Sequence, residues 1–262
     1  MKKNIKEFLY EIDVLGFALF EDIVPIEMIN RISIDIEKHQ RMCQQWQENN
    51  GVTDGMEGCA HHVIGQGDSL DDFLYSFFLD DYNKAYFDNS AYILNSIGAL
   101  NNLPYSLNSY RHGHHFHRDV RTFSNGFRLM LNMLVMIDDF TIDNGATKVI
   151  LGSHKNKHKP GHEFIEKNTK QVTGRAGSII LFDSNLWHSA APNNTNKPRK
   201  ALTPTFTRAF VKQQMDYPRM LGDNFPENEQ MRQLLGYNSR IPSDHNEWYQ
   251  LPENRMYKAG QG

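Results

Sequence analysis

The sequence predicts a mainly β protein with a jelly-roll or barrel core and flanking N-terminal α-helices. Three observations carry this expectation. Short apolar runs follow one another between about residues 103 and 215, separated by clusters rich in Gly and Asn. The first hundred residues instead place apolar side chains at helical spacing. A chain of 262 residues is long enough to bury a sizeable core as one domain. We therefore expect a single domain over 1–262, with helical support over 1–102, the jelly-roll core over 103–215 and a tail over 216–262.

Val14–Phe20 reads as a short strand. Pro25 then stands at the start of a helix expected to run to about Trp46, with Ile29, Ile32, Ile36 and Met42 on one face. Residues 49–68, rich in Gly, Asp and His, read as a loop. A helix is expected from Ser69, and another over Tyr82–Leu100. Strands are expected at Tyr105–Arg111, Arg128–Ile137, Thr147–Leu151, Ser178–Phe182 and Ala201–Val211. Asp143-Asn-Gly145, Thr173-Gly-Arg-Ala-Gly177 and Pro192-Asn-Asn-Thr-Asn196 punctuate them. Beyond residue 216 the chain turns polar, with one helix expected over 225–236 and aromatics at Trp248, Tyr249 and Tyr257.

Composition excludes several classes of function. The net charge is −3 with no basic run, so no nucleic-acid surface is expected. No apolar stretch approaches the roughly 18–20 residues that cross a bilayer, so no membrane partner is expected either. The first residues lack an uninterrupted apolar segment and a small-residue cleavage site, and read as a folded cytoplasmic start. Cys43 and Cys59 match no zinc spacing and give no disulfide framework. Histidine is the unusual residue: 12 are present, four of them within 112–117.

His117 and Asp119 stand two apart, so an extended backbone sends both side chains to one face. His188 follows 69 residues after Asp119, where a returning strand can bring it alongside. Alone, a His-x-Asp is weak evidence, because surface and capping pairs produce it by chance. Two imidazoles and a carboxylate leave three positions of a metal open, the facial arrangement of non-haem Fe(II) oxygenases, with room for an oxidant and O2. Thiolates are missing, which argues against structural zinc. With Asp119 in the carboxylate position a halide has no vacancy, so halogenation is disfavoured. Arg199, in Asn-Lys-Pro-Arg-Lys, reads either as a solvated charge or as a guanidinium at a strand start, able to take a carboxylate bidentately.

The run from Ile137 to Lys155, IDDFTIDNGATKVILGSHK, resembles a characteristic segment of the phytanoyl-CoA dioxygenase family. His117-Arg118-Asp119 is similar to its first metal motif. Trp187-His188, with Arg199 eleven residues after the histidine, is similar to its distal half. The likeness is firm over about 103–215 and looser at the ends. It implies an Fe(II)- and 2-oxoglutarate-dependent dioxygenase on a double-stranded β-helix of cupin-like type, hydroxylating a small-molecule substrate with release of succinate and CO2. By the same resemblance His117, Asp119 and His188 would bind iron, and Arg199 would hold the C5 carboxylate of 2-oxoglutarate. Thr147 would add a hydrogen bond, and Asn132 is a further cosubstrate candidate. His114 stands where the family often has a Gln contacting 2-oxoglutarate, and Leu151 replaces a usual Pro.

The neighbouring groups have simpler readings. His112, His114 and His115 are expected to support the site rather than ligate, with His115 on the face of His117. His154, His158 and His162 read as a solvated loop, Trp187 as a core aromatic, and Arg118 and Arg121 as surface charges or anionic-substrate contacts. The rival from another class is a non-oxidative metal cupin, an isomerase or sugar-binding module using His115, His117 and His188. It leaves Arg199 without a purpose. Substrate identity and oligomeric state are not readable from the sequence.

Overall fold

A computed structural model describes residues 3–52, 57–105, 112–223, 225–226 and 228–262. In chain order the elements are α1 (Ile5–Leu15), β1 (Phe17–Phe20), α2 (Ile26–Asn49), β2 (Cys59–His61), α3 (Ser69–Tyr75), α4 (Asp80–Tyr86) and β3 (Tyr92–Asn102). Then come β4 (Met130–Met136), β5 (Lys148–Ile150), α5 (His162–Asn168), β6 (Thr169–Gln171), β7 (Ile179–Asp183), β8 (His188–Ser189) and β9 (Arg199–Arg208). The chain closes with α6 (Tyr217–Leu221), α7 (Glu229–Leu234) and α8 (His245–Trp248). The strands form a six-stranded sheet of order β1-β7-β4-β9-β3-β2 and a three-stranded sheet of order β6-β5-β8. Every ladder in both is antiparallel.

Alternation along the strands divides the core in two. On β4, Leu131, Met133 and Val135 join the cluster shared with Phe8, Ile29, Ile32 and Tyr86 of the helices. Leu134 and Met136 join Phe140, Val149 and Val172 between the two sheets. β7 divides in the same way, Ile179 and Leu181 outward, Ile180 and Phe182 inward. The large sheet is thus apolar on both faces where the small sheet covers it. Its C-terminal flank is packed as well, through Tyr217, Met231 and Leu234.

Local signals account for most element boundaries. The Asn4 side chain accepts the Glu7 amide at 2.8 Å and starts α1. Gly16 ends it in the left-handed conformation, φ 89°, its amide donating to the Glu11 and Ile12 carbonyls. The strand expected from Val14 therefore begins only at Phe17. Helix α2 buries Ile29, Ile32, Ile36, His39 and Cys43, as its apolar period foretold, and runs on to Asn49. Helix α3 starts at Ser69 as expected, and the Asp68 side chain caps it by accepting the Leu70 amide.

Residues 82–100 do not form one helix. α4 stops at Tyr86, Asp88 and Asn89 take left-handed backbone angles, and the chain continues as β3. β3 is buried on both faces for most of its length, and a bulge lies between Leu94 and Ser96. The bulge breaks the two-residue alternation, leaving Ile93, Leu94 and Ile97 at spacings that mimic a helix. The expected loop at 49–68 also holds a short strand, β2, paired to β3. Of the strand expected at Tyr105–Arg111, residues 106–111 lie outside the described residues. The other four expected strands appear as β4, β5, β7 and β9, while the helix expected over 225–236 is the shorter α7. Among the described residues no helix is long and apolar enough to cross a membrane.

Gly16 meets two demands at once. Besides its positive φ, a β-carbon there would lie 2.6 Å from both His154 Nδ1 and Leu186 Cδ1. Gly16→Ala is expected to cost about 2 kcal/mol or more, read as a lower midpoint in chemical denaturation with an unchanged m-value.

Candidate metal centre

The site begins with a backbone contact. His117 and His188 form an antiparallel bridge, His117 N donating to His188 O at 2.9 Å and His188 N to His117 O at 3.0 Å. His188 opens β8, opposite Val149 of β5. His117 sits in this single bridge rather than in a regular strand, because residues 112–114 form a 3-10 turn just before it. The two imidazoles come to 4.4 Å between centroids, and the Phe182 ring lies 4.9 Å from His188.

Each ring is oriented by the chain itself. His117 Nδ1 lies 2.8 Å from the His115 carbonyl, and His188 Nδ1 3.0 Å from the Leu186 carbonyl. A carbonyl oxygen can only accept, so both Nδ1 atoms carry the proton and both Nε2 atoms present a lone pair. Asp119 faces them, Oδ1 at 3.5 Å from His117 Nε2 and Oδ2 at 3.6 Å from His188 Nε2. Potential ligand atoms of the three residues all lie within 4.8 Å of one another. Two neutral nitrogens and a carboxylate oxygen, preset in this way, fit a divalent first-row metal such as Fe(II).

Asp119 has its own support. Asn132 Nδ2 donates to Asp119 Oδ2 at 2.5 Å, and Ser184 Oγ donates to Asn132 Oδ1 at 3.1 Å. Asn132 is buried on β4, opposite Thr205 of β9 and Phe182 of β7. Asn132 therefore joins Ser184 to the Asp119 carboxylate in one hydrogen-bonded chain.

Arg199 is the first residue of β9 and is buried. Its guanidinium lies 3.8 Å from the Phe140 ring centroid, while Nε and Nη1 have no hydrogen-bond partner. Burial pulls it down to about 10, a shift that Asp138 partly opposes. It remains cationic at neutral pH. A buried cation with unmet donors is a seat for an anion. His114 sits at this end: its Nε2 is 3.4 Å from Asn102 Oδ1, and Asn102 is the register partner of Arg199. Thr147 is buried just before β5, two residues from Val149, so both face the space between the sheets.

Several neighbours differ from expectation. His115 is exposed and contributes its carbonyl, and among the described residues the candidate metal group is His117, Asp119 and His188. Arg118 is not a surface charge; it is buried over Trp187. His154 does not belong to a solvated loop, since it packs against Gly16 and its burial pushes the imidazole down. Side-chain geometry at His112 lies outside what the structure describes.

The model of the phytanoyl-CoA dioxygenase (PhyH) family matches residues 12–201. The chain belongs to this family. Iron and 2-oxoglutarate are the cofactor and cosubstrate of such dioxygenases, and the His117, Asp119 and His188 group is a candidate iron site. The uncharacterized protein Rv1501 of Mycobacterium tuberculosis is 44% identical over 149 residues, 56% of this chain and 55% of that protein. The chain thus spans about half the length of the curated relatives it matches. Among solved structures, apo EctD from S. alaskensis aligns with TM-score 0.64 at 18% identity, covering 86% of this chain and 82% of that one. EctD has also been solved with Fe, and with 2-oxoglutarate and 5-hydroxyectoine. SnoN, an alpha ketoglutarate-dependent epimerase from nogalamycin biosynthesis, aligns with TM-score 0.57 at 15% identity over 78% of this chain and 83% of that one.

Sequence reasoning missed Ser184 and the hydrogen bond from Asn132 to Asp119. An isolated Asn within the apolar run Met130–Met136 was the available signal, since a buried amide needs partners. Asn132→Ala is expected to lower Fe(II) affinity by about 10- to 100-fold, measured by anaerobic calorimetry, with little change in thermal midpoint.

Proposed function

We propose that this chain is an Fe(II)- and 2-oxoglutarate-dependent dioxygenase that hydroxylates a small molecule and releases succinate and CO2. The two facing sheets support a double-stranded β-helix reading of its core. Helices from both ends of the chain pack on the same outer face, which supports one domain over 1–262. The observation that carries the reading is Arg199, a buried guanidinium with unmatched N–H groups, in a chain that also presets an N,N,O metal triad.

In this reading His117, Asp119 and His188 hold the iron, which supplies O2 activation coupled to oxidative decarboxylation of 2-oxoglutarate. Arg199 fixes the distal carboxylate, and its burial makes that charge-assisted contact strong. Phe140 covers the back of the guanidinium and excludes water from one side. Thr147 and His114 are the nearby polar groups available to the cosubstrate. Asn132 keeps the Asp119 carboxylate turned toward the two Nε2 atoms. Residues on the inner face of β3 and β9, outside the cover of the small sheet, would meet the substrate. A non-oxidative cupin would have no use for Arg199, and Asp119 stands where that reading needed His115. SnoN, of similar fold, is an epimerase, so the outcome of oxidation is for the substrate to decide.

Two results test the proposal. Asp119→Ala and His188→Ala should each abolish substrate-dependent succinate formation, and full turnover in both would remove the triad. Arg199→Met should raise the KM for 2-oxoglutarate about 10- to 100-fold, as expected for a lost charge-assisted bidentate contact, and should weaken the visible band of the anaerobic Fe(II) protein with 2-oxoglutarate. An unchanged KM would return Arg199 to a structural role.

A further inference from the structure

Arg118 lies between two candidate ligands, yet its side chain serves the opposite side of the segment. In extended backbone His117 and Asp119 leave one face and Arg118 the other. Trp187, next to His188, does the same on the partner segment. The two meet behind the metal centre, the Arg118 guanidinium 4.9 Å from the Trp187 ring centroid and 5.6 Å from that of Phe123. Thus residues adjacent in sequence to all three candidate ligands are stacked on each other.

One loop holds both. Arg118 Nη1 donates to the Lys157 carbonyl at 3.1 Å, and Nη2 to the carbonyls of Asn156 and Ser153. Trp187 N donates to Ser153 Oγ at 3.0 Å. The Ser153 carbonyl also accepts the Asn156 amide at 3.1 Å, so Arg118 adds to a turn that the backbone already closes. No salt bridge to Arg118 is present among the described residues, and burial pulls its guanidinium below the usual arginine range. Its position therefore depends on those carbonyls and rings. If the loop leaves, a buried cation loses its hydrogen bonds and the segment carrying His117 and Asp119 keeps the bridge to His188 but loses its tie on the opposite face.

We propose that Arg118 is a positioning residue that couples the order of loop 153–157 to metal binding, so that each stabilises the other. This rests on the metal-centre reading above. By linkage the effect must be reciprocal: removing the anchor weakens the metal, and adding the metal steadies the loop. A residue that merely filled space would give the first effect without the second.

The loop carries its own reporter. Lys155 and Lys157 are exposed and open to trypsin, while Lys159 precedes Pro160 and resists it. Cleavage after Lys155 and Lys157 would be followed by mass spectrometry with and without Co(II), a spectroscopic substitute for Fe(II). Wild type should be cleaved at least threefold more slowly with Co(II). Arg118→Met should bind Co(II) about 10- to 100-fold more weakly, shift its visible spectrum, and be cleaved quickly at every Co(II) concentration that leaves the site empty. Arg118→Lys, which keeps the charge and one donor, should recover part of both. His117→Ala should abolish the protection by Co(II). Co(II) affinity within twofold of wild type in a folded Arg118→Met protein would overturn the proposal and leave the metal centre standing. Equal wild-type cleavage with and without bound Co(II) would do so without any variant. Failure of wild type to bind Co(II) would sink both readings.

Discussion

The backbone bridge between His117 and His188 is the constraint on which the site depends. Residues far apart in sequence become neighbours through one reciprocal pair of N–H···O bonds. Each imidazole then donates to the carbonyl two residues back, which fixes its tautomer and the direction of Nε2. None of these bonds needs a metal. The Asn132–Asp119 contact is likewise internal to the protein, relayed from Ser184 at the end of β7. The large sheet therefore sets the carboxylate, while the bridge sets the histidines.

Two buried arginines show how one residue type serves opposite ends. Arg118 has hydrogen-bond partners, chiefly carbonyls of a single loop, and lies against Trp187 and Phe123. Arg199 has a ring beneath it and donors left over. Desolvation acts on both, yet Arg118 leaves only Nε unmatched, whereas Arg199 leaves both Nε and Nη1 unmatched beside the Phe140 ring. That difference separates an arginine that shapes the fold from one that can wait for an anion.

Much of this was legible in the sequence, and the misses have physical causes. His117, Asp119 and His188 were readable because spacing, residue type and order all agree, while Arg199 stood out through the resemblance to the phytanoyl-CoA dioxygenase family. The strands β4, β7 and β9 were visible as apolar runs between turn clusters. β3 was not, because a strand buried on both faces and carrying a bulge has the same apolar spacing as a buried helix. Arg118 was read as exposed because nothing local reveals the loop 35 or more residues away that receives it. His154 was misplaced for the same reason, its neighbour Gly16 lying in the first turn of the chain after α1. What fails in such cases is long-range burial of a charged or polar side chain, which composition treats as solvent-exposed.

A site assembled by hydrogen bonds and a strand bridge also differs from one assembled by its metal. In small metal-dependent domains the unfolded chain lacks a preformed site, so binding energy and folding energy are the same quantity. Here two apolar clusters lie on either side of the large sheet, and neither includes a ligand. Global folding is therefore supported by packing that owes nothing to iron. The elements left for the metal to influence are those tied to the ligand segments chiefly by polar contacts, and loop 153–157 is the clearest of them. Its contacts to Arg118 and Trp187 run directly behind His117, Asp119 and His188. Metal binding should therefore be felt as a local gain of order on that side of the molecule, while the sheets stay as they are.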